Sequence, residues 1–151
     1  MSDEQQPIFS IEKIYVKDLS VEVPNAPQVF LQAESPKVEV QLGQNVQAVA
    51  EGLFEVSLMV TVTAKLEEKT IFLAEVQQAG IFQIRNVAQS DLEPVLGMVC
   101  PNVLFPYARE TISDVINRAG FPPVLLAPVN FEALYQQRVA EQQGPKIEIA
   151  H

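Results

Sequence analysis

Between Leu53 and Ile84 polar and apolar positions alternate so regularly that two long strands are predicted, and the rest of the chain reads as cover for them. From Phe54 the even positions are all apolar (Phe54, Val56, Leu58, Val60, Val62, Ala64, Leu66), while the odd ones include Glu55, Ser57, Thr61, Thr63 and Lys65. A period of two marks a strand with one wet face. The chain turns at Glu67, Glu68 and Lys69, and the same parity resumes at Phe72, Ala74, Val76, Phe82 and Ile84. This predicts a hairpin whose turn geometry, with no glycine to mark it, stays open. The odd face of the second strand mixes Ile71, Leu73, Ala79 and Ile81 with Glu75 and Gln77, an oily and acidic surface suited to docking a partner.

Upstream, Ile8 to Val23 predicts a first strand whose parity slips near Lys13, through a bulge or through burial on both faces. Asp18, Ser20 and Glu22 share one parity there and form a small acidic row, and Pro24 ends the strand because it has no amide to donate. The segment from Asn25 to Pro36 carries Val29, Phe30 and Leu31 between prolines. It is either a loop with its aromatic tucked into the core or a wall of a binding groove. Val38, Val40 and Leu42 alternate with Glu39 and Gln41 in a further strand, which the stretch from Gly43 to Gly52 connects to the hairpin.

Beyond the hairpin the period changes. Ser90 and Glu93 have capping-box spacing before a stripe of Leu92, Val95, Leu96 and Val99. Pro101 is expected to break or kink that helix, and a second segment can start near Pro106 with Ala108, Ile112, Val115, Ile116 and Ala119 on one face. Gly120, Pro122 and Pro123 stop it. After Leu125, Leu126 and Pro128, Asn130 is placed to cap a last helix bearing Phe131, Leu134, Tyr135 and Val139, with a frayed tail from Gln142 to His151. Strands followed by helices predict an α+β domain, a four-stranded antiparallel sheet with helices on one face.

Composition narrows the function. With 151 residues and 48% hydrophobic content, one domain spanning 1–151 holds a single core. The net charge of -9 argues against nucleic acid and favours basic partners. The start, Met1 to Gln6, lacks the basic and apolar runs of a signal peptide, and no segment approaches the roughly 18 apolar residues of a membrane span. A soluble protein in a reducing compartment is expected, since the single cysteine, Cys100, forms no internal disulfide. The one histidine, His151, is the final residue, leaving Cys100 without a catalytic partner. No phosphate-binding glycine loop and no Cys/His zinc cluster is present, so neither metal nor cofactor is expected and nothing argues for an enzyme. What remains is apolar surface beyond the needs of one small core. Phe30, Leu31, Phe131, Leu134 and Tyr135 in a groove would each contribute about 1.5–3 kcal/mol on burial against a partner, before ordering costs.

Longer blocks carry a resemblance. Val23-Pro24-Asn25-Ala26-Pro27, the run from Glu75 to Phe82, the run from Cys100 to Glu110 and the run from Leu126 to Phe131 closely resemble the SecB family of bacterial protein-export chaperones, over roughly Ile8 to Gln137. The resemblance implies a cytoplasmic, ATP-independent holdase that binds unfolded precursor proteins and delivers them to SecA, the translocase ATPase. It implies a long crossover after the first strand, two helices on one face, and a homotetramer built as a dimer of dimers through first strands and the long helix. The basic zinc-binding tail of SecA would meet Asp18, Glu22, Leu73 and Glu75. Client grooves would involve Val29, Phe30, Leu31, Leu126, Phe131, Leu134 and Tyr135, with Val38, Val40 and Leu42 nearby. Ala74, Val76 and Gln78 would affect assembly. Two features differ from some relatives: Glu34 stands where they have a tryptophan, and the tail with Pro145, Lys146 and Ile147 is less acidic. The competing reading from the residues is a small oligomeric α+β carrier or enzyme that binds one apolar ligand between sheet and helices.

Overall fold

The structure, a computed structural model, describes residues 6–143; the chain start and the tail beyond, with His151, lie outside the described residues. Four strands form one antiparallel sheet in the order β1-β4-β3-β2: β1 (Ile8–Glu22), β2 (Lys37–Ala50), β3 (Leu53–Leu66) and β4 (Lys69–Arg85). The central hairpin is β3–β4, and its even positions form the core, with Val56, Leu58, Val60, Val62, Ala64, Ala74, Val76 and Phe82 all inaccessible. Its turn is solved without glycine, because Glu67 takes a φ of 58°. The segment between β1 and β2 crosses the sheet to the far edge, and Asn25 ties it down by donating to the carbonyl of Thr70 at 2.8 Å.

The parity slip in β1 is bulging, not two-faced burial. Register shifts fall between Ile11 and Lys13 and between Val16 and Asp18. The helix-facing side chains are therefore Phe9 and Ile11, then Ile14 and Val16, then Leu19 and Val21, opposite the inner row of β4. A third shift, at Ala64/Lys65, leaves Ile71 of β4 without a register partner and turns it inward, where it is 2% exposed. Ile71 is thus core, and Ala79 is buried too, so neither belongs to the open outer face that alternation assigned them.

Three other expectations are corrected. The strand expected to stop at Leu42 continues to Ala50, paired through Gly43, Gln44 and Asn45, because hydrogen bonds to β3 hold polar residues in the ladder as well as apolar ones. The helix after β4 is capped by extended Ala88 with no side-chain bond, so Ser90 and Glu93 form no capping box. Pro101 does not break the helix: α1 (Gln89–Pro94) passes through a π turn at Val95–Val99 into α2 (Cys100–Arg118), with Pro106 inside α2 and not at its start. The wider π turn takes up the misfit of a proline that offers no amide and crowds the preceding turn. Asn130 does cap the last helix, α3 (Phe131–Gln143), accepting from the Ala133 amide at 2.9 Å. α3 takes in Gln142 and Gln143, the first two residues of the expected tail.

Candidate functional site

The two faces of the sheet offer two different surfaces. On the outer face, the bulge before Asp18 brings Asp18, Ser20 and Glu22 level with Gln77, Glu75 and Leu73 of β4. Asp18, Glu22, Leu73 and Glu75 therefore share two adjacent rows, with about 14 Å between Asp18 and Glu22 at strand rise. Asp18 and Glu22 are exposed, Leu73 and Glu75 half-buried. Thr61 of β3 donates to Glu75 Oε2 at 2.7 Å and holds that carboxylate upright. The result is a short acidic strip with an apolar step in it, complementary in charge to a basic surface.

Next to the strip lies a cluster that alternation did not reveal. Glu55 of β3 is 7% exposed, its Oε1 lies 2.8 Å from Lys17 Nζ, and its Oε2 accepts from the Tyr15 hydroxyl. Lys17 and Tyr15, in that order, hold the Glu55 carboxyl below the usual carboxylate range, against burial, which raises it. Burial and then Glu55 push the Tyr15 hydroxyl up to about 12. The pairing stabilises the fold above the ordinary carboxylate range and is lost as pH falls through the lowered value.

The inner face is apolar and only partly covered. Val38, Val40 and Leu42 of edge strand β2 point toward the helices, opposite Ala64, Val62 and Val60, yet remain 42%, 45% and 37% exposed. This row joins two hollows. One, of 190 Å³, is lined by Val29, Phe30, Pro36, Leu66, Ile71 and Phe121, with Gln32 and Glu34 beside them. The other, of 590 Å³, lies between β2 and α3 and is lined by Leu42, Val46, Gly97, Leu134 and Arg138 among others. From Pro36 to Val46 the row spans about 34 Å, enough for roughly ten residues of extended chain.

The structure separates the expected groove residues into two sets. Phe30, 48% exposed and stacked on Phe121 at 5.2 Å, Leu31, 85% exposed, the three β2 residues, and half-buried Leu134 and Tyr135 are accessible. Val29, Leu126 and Phe131 are core, with Phe131 edge-on to Phe105 at 5.9 Å. Of the two readings of the crossover loop, the tucked aromatic is not what the structure shows: Phe30 stays half exposed, and its neighbour Val29 enters the core instead. Ala74, Val76 and Gln78 are buried beneath α2. Gln78 Nε2 donates to the carbonyl of Tyr15 at 3.1 Å, and its Oε1 is buried without a partner.

Sequence reasoning missed Val46, Gly97 and Phe121 in these hollows. Val46 keeps the even parity of β2, but Gln44 and Asn45 disguise the strand. Gly97 shows only in three dimensions: a Cβ there would lie 2.6 Å from the Tyr135 ring, so a bare backbone lets α3 approach the π turn. Gly97→Ala gains about 1 kcal/mol of helix propensity but overpacks the contact by about 1–3 kcal/mol. We expect a net loss, read as faster hydrogen exchange of the α3 amides; unchanged exchange would mean that the Tyr135 ring yields freely.

Among the described residues no group of three or more His, Cys, Asp or Glu is placed to hold a metal ion, and no helix is long and apolar enough to cross a membrane. Burial pushes the Cys100 thiol up to about 12, which leaves it protonated and unreactive at neutral pH.

A narrow four-stranded sheet with helices on one face, an acidic outer strip and an uncovered apolar inner row defines an α+β module with an open surface on each side of one sheet. Comparison with known proteins places it. The profile of the family described as "SecB: Preprotein translocase subunit SecB" matches residues 2–142. The chain is 67% identical over 144 residues to "Protein-export protein SecB" of Chromobacterium violaceum, covering 94% of this chain and 96% of that one. It is 59% identical over 149 residues to the protein of the same name from Dechloromonas aromatica, covering 99% and 98%. In fold it is similar to the SecB-like chaperone of Mycobacterium tuberculosis, solved in complex with a ChAD peptide from an antitoxin, with a TM-score of 0.66 and 19% identity over 80% of this chain and 90% of that one. The chain belongs to the SecB family.

Proposed function

We propose that this chain is an ATP-independent holdase for protein export, which captures unfolded precursor proteins along its inner apolar row and hands them to the SecA motor through its outer acidic strip. The observation that carries the reading is the uncovered apolar row Val38, Val40, Leu42 and Val46 joining two hollows of mixed lining. Folded proteins hide the extended apolar segments such a row would bury, which gives selectivity without a sequence code. Binding of this kind needs no nucleotide and no chemistry. Family membership and the shared name of its relatives support the export role. The protein works in the cytoplasm as a single folded domain.

Charge supports the handover. Rim carboxylates such as Asp18 and Glu22 raise the encounter rate with a basic zinc-binding tail and allow ready, salt-sensitive release. Self-association completes the assembly, a tetramer of paired dimers. Phe9, Ile11, Val16 and Leu19 on edge strand β1 and Tyr107 on α2 are each 42–50% exposed, an apolar surface that a second copy would cover. The orphaned Gln78 Oε1 lies at the base of the hollow between β1 and α2 beside Tyr107, where a neighbouring copy could supply a donor.

The test is native mass by light scattering after size-exclusion chromatography, with and without a precursor held unfolded. A species near four times 16.7 kDa that gains the unfolded client and ignores the same client once folded is the expected result. A monomer or dimer that ignores unfolded chains and binds a small apolar ligand instead would establish the carrier reading.

A further inference from the structure

Lys17 is the extra residue of the second bulge in β1: Val16 pairs with Gln78 and Asp18 with Gln77, which leaves Lys17 with no register partner. A bulge of this kind puts two consecutive side chains on one face. Lys17 therefore emerges on the outer face immediately before Asp18, an ammonium at the head of the acidic strip. Left free, it would neutralise Asp18 from within the same strand, at an effective concentration no external peptide matches, and repel a basic partner. Its observed place is elsewhere. Lys17 Nζ lies 2.8 Å from Glu55 Oε1, two strands away, and the Tyr15 hydroxyl occupies the other carboxylate oxygen. The Glu55 side chain is 8% exposed and that of Lys17 42%, so the carboxylate is the fixed member and the ammonium is drawn toward it.

We propose that Glu55 is a positioning residue for the docking strip, holding the Lys17 ammonium back from Asp18 so that the strip presents its carboxylates unneutralised to a basic peptide. This rests on the docking role of Asp18, Glu22, Leu73 and Glu75. Glu55 touches no part of the incoming peptide; it acts through Lys17. Strand tethering by the same contacts is a structural role, and the two differ in what a second substitution does.

Glu55→Gln keeps the size of the side chain and an oxygen for Tyr15, but releases Lys17. The SecA zinc-binding tail, titrated at low salt by calorimetry, is expected to bind this variant about 5–10-fold more weakly, with unfolded-client binding unchanged. Lys17→Met added to it is expected to restore tail affinity to within about twofold of wild type. Glu55→Gln with Arg118→Met has the same net charge as that double variant but loses a cation on the helix layer, and is expected to stay weak. An independent reading comes from acylation of Lys17 followed by mass spectrometry, which should be faster in Glu55→Gln. If the Lys17→Met double variant is no better than Glu55→Gln, or if the Arg118 control rescues equally, the positioning role is overturned. If wild type itself ignores the tail, the docking reading has failed and the inference with it. If wild type binds and Asp18→Lys/Glu22→Lys does not, while Glu55→Gln is indistinguishable from wild type, only the inference is lost.

Discussion

The double charge reversal Asp18→Lys/Glu22→Lys is expected to abolish binding of the SecA zinc-binding tail and to leave capture of unfolded clients intact. Both side chains are exposed on the outer face, while the apolar row that would hold clients is on the inner face, so the sheet itself insulates one function from the other. Each reversal replaces an attraction with a repulsion, and two unit charges at contact distance are worth about 1 kcal/mol even in water. The combined change corresponds to a loss on the order of 100-fold or more at low salt, shrinking as ionic strength rises. Calorimetry with the tail peptide, alongside a client-aggregation assay, reads both functions on one preparation. Equal loss of both would show that the outer strip does not work alone or that the variant is misfolded, and circular dichroism separates those outcomes.

The second large effect is on the fold. Phe82 is among the largest fully buried side chains, at 0% exposure; it stacks on Phe9 with ring centroids 5.8 Å apart and lies on the inner row of β4. Truncation to alanine removes a ring from a packed interior and leaves a cavity, a change that costs about 3–5 kcal/mol. Typical domain stability is about 5–15 kcal/mol, so Phe82→Ala is expected to leave the protomer marginal. Urea denaturation at fixed protomer concentration measures it, since any self-association would add to apparent stability. A loss under 1 kcal/mol would mean that neighbouring groups collapse into the space.

Much of the site was legible because alternation is set by the local chain. The even row of β3 and β4 is core, and the acidic row of β1 shares one face with Leu73 and Glu75. Where local pattern failed, a long-range contact had overruled it. Ile71 has outer parity in the sequence, but a bulge turns it inward. Phe131 has the same hydropathy as Phe30, and what packs around each, Phe105 against Phe131 among others, decides that one is core and the other half-open. Glu55 reads as one more wet odd position on β3, and its burial depends on Tyr15 and Lys17 reaching over β4 from a strand about 40 residues earlier in the chain.

The sequence by itself determined that β3 and β4 form, which of their faces is buried, where the last helix is capped, and that export chaperones are its relatives, because side-chain periodicity, capping chemistry and family blocks are properties of neighbouring residues. Only the tertiary structure decided which apolar residues stay uncovered, how far β2 runs, how Pro101 is absorbed, and that Glu55 captures Lys17. Each of those depends on what packs opposite: burial and charge pairing are set by distances across the sheet and between layers, and residues far apart in the chain share no local pattern that would announce them.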